Sequence, residues 1–545
     1  MPLTPSARAW CLAGVGYAAV TALFVTPLVD YRHLADASYE GDSRLVIWTL
    51  AWDARAILSG TPLFDANIFY PARHALTWAE HHIGLALFAL PVYAITANPV
   101  VAYWTVWLLS CPLNALAMHA LGWRLTRDHR AATIAGLVYG FCFFRMHHGH
   151  GHLQLLWTWA LPLVPLAIER WLQRPTVGRT ALLTALVLVQ ALTSWYLAVL
   201  VGLLTLITAV TLVRRHDVTR VHIVYAALML ACGAVILGWF AHPYFTLETP
   251  GVSEAFASSA DIAAYLLPPE NTWVGQWLLA NTSFTPRWIW GEQTLYAGLT
   301  AVTLAVTGAW VAVRNGTIRS CPLARALVVT GAVALALSWG PSASGVAPFD
   351  LLTRLPGMSM LRAPARFALL VMLAVGVLAA YGTAFFVNRQ GRRGWVLVMC
   401  LAAAFLGESF LVRFPAGKPK PFGIPAVYDR LASLAPGAVL SLPTYRDTPE
   451  GFREADYLFY STRHWHPIVN GFGRHEPAAH RDNINTLARF PAPEALRRLR
   501  ELNVRYVVVH TGRATELRAA VAAAEGSPDI EALGAFAGDY LFRVR

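Results

Sequence analysis

The chain has 545 residues, of which 56% are hydrophobic and 14% charged, with a mean hydropathy of +0.47. Soluble domains carry about 25% charged residues, so lipid is the solvent for most of this chain. The net charge of +12 lies almost wholly on arginines in short loops between apolar runs, the positive-inside pattern of a multi-pass membrane protein, and this sets aside a nucleic-acid partner. Cys11, Cys111, Cys142, Cys232, Cys321 and Cys400 lie in or beside apolar runs with no CxxC pair, which sets aside a disulfide framework and a cysteine–zinc site.

Taken in chain order, the start carries one Arg before an apolar run without a small-residue cleavage site, and reads as a retained first helix. Candidate spans follow near 9–29, 99–121, 131–145, 153–170, 180–193, 196–213, 221–240, 294–313, 322–339, 367–387 and 395–412. The run 83–97 is short and contains Pro91, so it reads as a partly embedded segment. With 11 crossings and a cytoplasmic N-terminus, the clusters Arg124/Arg127/Arg130, Arg170/Arg174/Arg179, Arg214/Arg215/Arg220, Arg314/Arg319 and Arg389/Arg392/Arg393 share one side. Loops 30–98, 241–293 and 340–366 and the tail from 413 then face outward.

The tail changes character. It holds 14 of the 31 acidic residues and both lysines, Lys418 and Lys420, after an entry containing Pro415, Pro419, Pro421 and Pro425. Runs Ala438–Leu442, Val504–His510 and Tyr540–Val544 are strand-like and stretches Pro493–Leu502 and Glu516–Glu525 helix-like, giving a small α/β domain. The expected division is a membrane domain over 1–412 and an extracytoplasmic domain over 413–545.

Polar residues collect in the loops. Glu40 and Asp42 follow the first span and precede the run Leu45–Trp52, which reads as a helix along the membrane surface with Trp48 and Trp52 one turn apart. A carboxylate there suits a general base toward a hydroxyl; the plainer alternative is that Asp42 caps the helix. Asp36, Asp53 and Asp65 are rivals. Glu80, His81 and His82 close the same loop and read as substrate contacts, metal ligands or interfacial polar residues. His147, His148, His150 and His152 form a glycine-broken turn, suited to lining a substrate cleft, and they leave a divalent metal open. Arg362 and Arg366, four apart and able to share a helical face, flank Pro364 at a helix start, where free N–H groups and two cations favour a phosphate or pyrophosphate, with lipid-headgroup contact as the alternative. Glu292 is a contact for substrate or for one of these arginines, or a cap. Tyrosines and tryptophans near span ends read as interface anchors.

One outward carboxylate, an outward arginine pair and apolar walls suit a reaction whose leaving group is a lipid phosphate. Glu40-Gly41-Asp42, Phe69-Tyr70-Pro71, the turn 147–154, Gly291-Glu292, and Leu355-Pro356-Gly357 with Arg362–Phe367 together resemble the bacterial GT-C-fold membrane glycosyltransferases, most closely the YfhO-like branch. The resemblance implies a mainly α polytopic fold of about 11 transmembrane helices. It implies a polyprenyl-phosphate sugar donor, an envelope glycan, lipid or protein acceptor, and a first-loop acidic base that falls on Asp42. Many relatives carry two adjacent acidic residues where this chain has Glu40-Gly41-Asp42. A lipid or glycan transporter and a non-catalytic envelope-assembly factor remain as alternatives.

Overall fold

A computed structural model describes residues 5–25, 29–214, 216–246, 253–283, 291–342, 344–388, 390–412, 417–445, 449–473 and 475–545. Arg215, Arg389 and Pro415 lie outside them. The molecule is mainly helical, and each of the expected spans holds a helix: Pro5–Val25, Pro99–Thr126, His129–Gly140, Ala160–Gln173, Val177–Ala191, Trp195–Val213, Arg220–Ala241, Leu299–Arg314, Pro322–Ser338, Ala368–Val387 and Gly394–Ser409. Among the described residues, 5 helical stretches are long and apolar enough to cross a bilayer on length and composition: Ala7–Val25, Pro99–Thr126, Trp195–Val213, Arg220–Phe245 and Pro364–Val387. Ile83–Thr96 is a helix of 14 residues with Pro91 inside. At 1.5 Å per residue it is shorter than the roughly 30 Å hydrocarbon core.

The chain divides into two compact units, Met1–Tyr31 with Thr105–Lys418, and Arg32–Trp104 with Pro419–Arg545. The first loop thus groups with the tail, where the sequence suggested grouping it with the membrane helices.

In the first unit, side-chain caps begin several helices: Asp128 accepts from the Arg130 N–H, Thr176 from Arg179 and Ser194 from Tyr196. Helix Ala368–Val387 is buried along most of its length. It meets Leu299–Arg314 backbone to backbone. A Cβ on Gly308 would lie 1.8 Å from the Leu378 carbonyl oxygen, and one on Gly382 would lie 2.1 Å from that of Leu304. Small residues at these two points allow the approach on which helix packing in lipid depends.

In the second unit, strand β1 (Ala37–Ser38) pairs antiparallel with β2 (Lys420–Pro421). Strands β3 (Ala438–Leu442), β4 (Val504–His510), β5 (Ile530–Phe536) and β6 (Asp539–Val544) form one sheet in the order β3-β4-β6-β5. β3 and β4 run parallel; β4–β6 and β5–β6 run antiparallel. Leu440, Leu442, Val507, Val509 and Phe542 from the sheet pack with Ile484, Leu487, Leu496, Leu499 and Val521 from helices. Short β-branched and apolar runs made β3, β4 and most of β6 readable. β5, with its run Ala-Leu-Gly-Ala and half-exposed face, lacks that signal.

Candidate functional site

Two polar clusters carry the residues singled out above, one in each unit. In the first unit the cluster centres on Glu292. Arg366, on the turn Pro364–Phe367, forks onto its carboxylate: Nε lies 3.0 Å from both carboxylate oxygens and Nη2 bonds Oε1. The guanidinium is 3% exposed and lies over the Tyr196 ring, 4.8 Å from its centroid. His148 Nε2 stands 3.7 Å from Glu292 Oε2 and has no hydrogen-bond partner among the described residues.

Burial alone would raise the Glu292 carboxyl. The Arg366 guanidinium outweighs it and holds the group well below the usual carboxylate range. Burial pushes His147 down to about 3 and His148 well below the ordinary imidazole value, so both rings are neutral at physiological pH.

The histidine turn is partly helical. His147 and His148 end the helix Phe143–His148, and the turn begins after them. His148 Nδ1 is 3.3 Å from His152 Nδ1, and His150 Nδ1 is 2.6 Å from the His147 carbonyl oxygen. Arg145 fixes the turn from beneath. It is fully buried and donates to the carbonyls of Tyr139, Leu155 and Leu156. Asn271 Nδ2 lies 3.5 Å from His147 Nδ1. Among the described residues, no three His, Cys, Asp or Glu side chains are placed to hold a metal ion.

The expected phosphate site is altered. Arg362 precedes the turn Pro364–Phe367, so it does not share a helical face with Arg366. The N–H groups of Arg362 and Ala363 both donate to the Tyr196 hydroxyl, and those of Ala365 and Arg366 donate to the Ser258 and Ala363 carbonyls. Pro364 has no N–H to offer. The helix start is therefore satisfied internally, and Arg366 is neutralised by Glu292. Half-buried Arg362 is a candidate for contact with an arriving anion.

In the second unit, helix Asp42–Ser59 begins at Gly41, whose φ of 64° puts it in the left-handed region. Gly41 is the N-cap and Asp42 the first helical residue, so Asp42 is not the cap that the plainer reading made it. Asp42 is exposed, as is Glu40. Most of the helix beyond is buried. Trp48 and Trp52 stack 6.5 Å apart, 0% and 4% exposed. Their indole N–H groups donate to Asn67 and to the Leu63 carbonyl. They are core residues, so the expected surface helix is instead enclosed by protein.

Glu80 is half-buried, and His81 and His82 are buried. The His82 N–H donates to Asp53 Oδ2 at 3.1 Å. Asp53 is wholly buried, its Oδ1 lacks a hydrogen-bond partner among the described residues, and burial pushes its carboxyl up to about 8. Burial likewise takes His81 down to about 3.

Sequence reasoning missed Tyr196 because a tyrosine at a span end reads as an interface anchor. It did not single out His148 from its neighbours, because spacing cannot say which ring of a glycine-broken turn points at a carboxylate.

No curated protein matches this chain. Among solved structures, it is similar to the arabinofuranosyltransferase AftD from Mycobacteria, with a TM-score of 0.51 and 16% identity over 100% of this chain and 40% of that one. The chain thus spans about two fifths of that transferase. It is also similar to the oligosaccharyltransferase AglB from Archaeoglobus fulgidus, solved with an inhibitory peptide and a dolichol-phosphate, with a TM-score of 0.47 and 13% identity over 94% and 71% of the two chains. A third is ArnT from Cupriavidus metallidurans bound to undecaprenyl phosphate, with a TM-score of 0.44 and 12% identity over 98% of each chain. The fold is therefore GT-C-like, mainly α and polytopic, with a small C-terminal sheet region. The family model described as a domain of unknown function, DUF6311, matches residues 49–406, and the chain belongs to that family.

Proposed function

We propose that this protein is a membrane glycosyltransferase. It moves a sugar from a polyprenyl-phosphate donor to an envelope glycan, lipid or protein acceptor on the outer face of a bacterial cytoplasmic membrane. The N-terminus is cytoplasmic, and the loop 30–98 and the C-terminal region are extracytoplasmic. The likeness to the YfhO-like branch rests on motifs in the sequence alone.

Asp42 takes the proton from the acceptor hydroxyl as that oxygen bonds to the anomeric carbon. The bond from that carbon to the phosphate oxygen breaks, and the electron pair leaves with the lipid phosphate. Arg362 stabilises the charge that develops there. Arg366 holds Glu292 ionised and oriented, and Glu292 with His147, His150 and His152 offers acceptors and donors to the donor sugar. Glu40, Glu80, His81 and His82 are the acceptor contacts of this reading.

The observation that carries the reading is the placement of Asp42, an exposed carboxylate on the first turn of a helix that is otherwise buried, in a chain with a GT-C-like fold. The test uses the full chain in proteoliposomes, with a labelled polyprenyl-phosphate sugar and envelope acceptor. Asp42→Asn is expected to cut transfer about 10²–10⁴-fold with the thermal midpoint unchanged. Transfer at the wild-type rate would reject Asp42 as the base. Mass spectrometry of envelope glycans from a deletion strain then names the sugar, since the missing residue identifies donor and acceptor together.

A further inference from the structure

The second unit holds a buried ionic chain beside Asp42 that the proposed reaction does not use. Arg44 follows Asp42 by two residues on the same helix. Two residues turn a helix by about 200°, so with Asp42 exposed Arg44 points inward; it is 4% exposed. Its Nη1 bonds Asp456 Oδ1, and its Nε donates to Ser38 Oγ at 3.2 Å. The Phe422 ring covers the guanidinium, 3.2 Å from ring centroid to Cζ, and Tyr460 stacks on that ring at 5.2 Å.

Asp456 is itself 3% exposed, and its second oxygen accepts from Arg513 Nη1 at 2.8 Å. Arg513 also donates to the Tyr460 hydroxyl at 2.7 Å. The backbone is tied at the same place. Ala37 and Ser38 pair with Pro421 and Lys420, and a Cβ on Gly41 would lie 3.2 Å from Phe452 Cβ.

A carboxylate with no role beyond the surface needs none of this. The arrangement fixes the first turn of one helix with a planar fork held on one face by an aromatic ring and on its edge by a carboxylate and a hydroxyl. We infer that Arg44, clamped by Asp456 of the C-terminal segment, is the positioning residue that aims Asp42, so that the C-terminal segment serves as the splint of the catalytic loop. The inference rests on Asp42 being the base.

Arg44→Met tests it in the full chain in proteoliposomes. Asp456 keeps Arg513 as its cation, so no carboxylate is left buried alone. A base displaced by even an ångström costs up to about 100-fold, so kcat is expected to fall about 10–100-fold. KM for the lipid donor stays within about twofold, because the donor-binding groups are untouched. Arg44→Lys should recover only part of kcat, since it restores the cation facing Asp456 but not the planar fork that also reaches Ser38 and lies against Phe422. A structural defect alone would instead lower the amount of folded protein and leave kcat per folded molecule unchanged.

Phe422→Leu, which removes the covering ring but no charge, is the milder variant and should lower kcat several-fold with the same unchanged KM. It carries the test if Arg44→Met fails to fold. Wild-type kcat in whichever of these variants folds, in the same preparations in which Asp42→Asn is inactive, would overturn the positioning role and leave the base standing. An active Asp42→Asn would remove the base itself.

Discussion

Glu292 is half-buried and Asp53 wholly buried, and their surroundings drive the two carboxyls in opposite directions. Glu292 is gripped by a guanidinium through two nitrogens and is held below the usual carboxylate range despite burial, which alone would raise it. Asp53 receives one backbone N–H, and burial pushes it up to about 8. A buried carboxylate stays ionised only where a cation offsets its lost hydration. Asp42 belongs to neither case, being exposed on a first helical turn. A general base must reach the arriving hydroxyl, and Asp42 is exposed for it; Glu292, its charge held by Arg366, serves to accept hydrogen bonds and not to take up a proton.

The strongest way to break this contrast is Arg366→Met. It leaves the half-buried Glu292 charge without its cation, which costs up to about 3 kcal/mol, the low end for a buried pair. The thermal midpoint of the purified protein should drop sharply, and the double variant Glu292→Gln with Arg366→Met should recover most of it. A single variant as stable as the wild type would mean that the pair is solvated and that Glu292 is no structural carboxylate.

Arg362→Ala sharpens the same contrast with a smaller effect. Arg362 is half-buried and stands before the turn that carries Arg366. Its loss should lower kcat/KM for the lipid donor about tenfold, chiefly through kcat, the 1–2 kcal/mol expected of one charge-assisted contact, with the thermal midpoint unchanged. A fall in midpoint without any change in kcat/KM would assign Arg362 to the fold and not to the phosphate.

What the sequence made readable follows from how local each signal is. Span positions come from runs of apolar residues, which the bilayer imposes on the chain one segment at a time. Strands Ala438–Leu442 and Val504–His510 come from β-branched and apolar runs flanked by turns. Asp42, Glu292, Arg362 and Arg366 were visible because charge beside an apolar span is expensive. Pairing was not visible. That Arg366 forks onto Glu292, 74 positions away, and Arg44 onto Asp456, 412 positions away, depends on chain topology that no local window contains. The same holds for the first loop, which groups with the tail because Ala37–Ser38 finds its partner strand at Lys420–Pro421.

The finest test of the contrast is the pH dependence of Asp53→Asn. Because burial raises the folded-state carboxyl from 3.8 to about 8, the folded protein binds the proton more tightly than the unfolded chain. Its stability contribution is whole below about pH 4 and is lost as the pH rises toward 8. Asparagine keeps an oxygen for the His82 N–H and has no proton to lose. Asp53→Asn should therefore match the wild type in thermal midpoint near about pH 4–5 and exceed it by a few degrees at about pH 8.5, with the gap opening steadily between. A gap of the same size at every pH would mean that Asp53 does not change protonation on folding. Its burial would then be relieved by water reaching Oδ1, and the opposition between the two carboxyls would reduce to a difference in hydration.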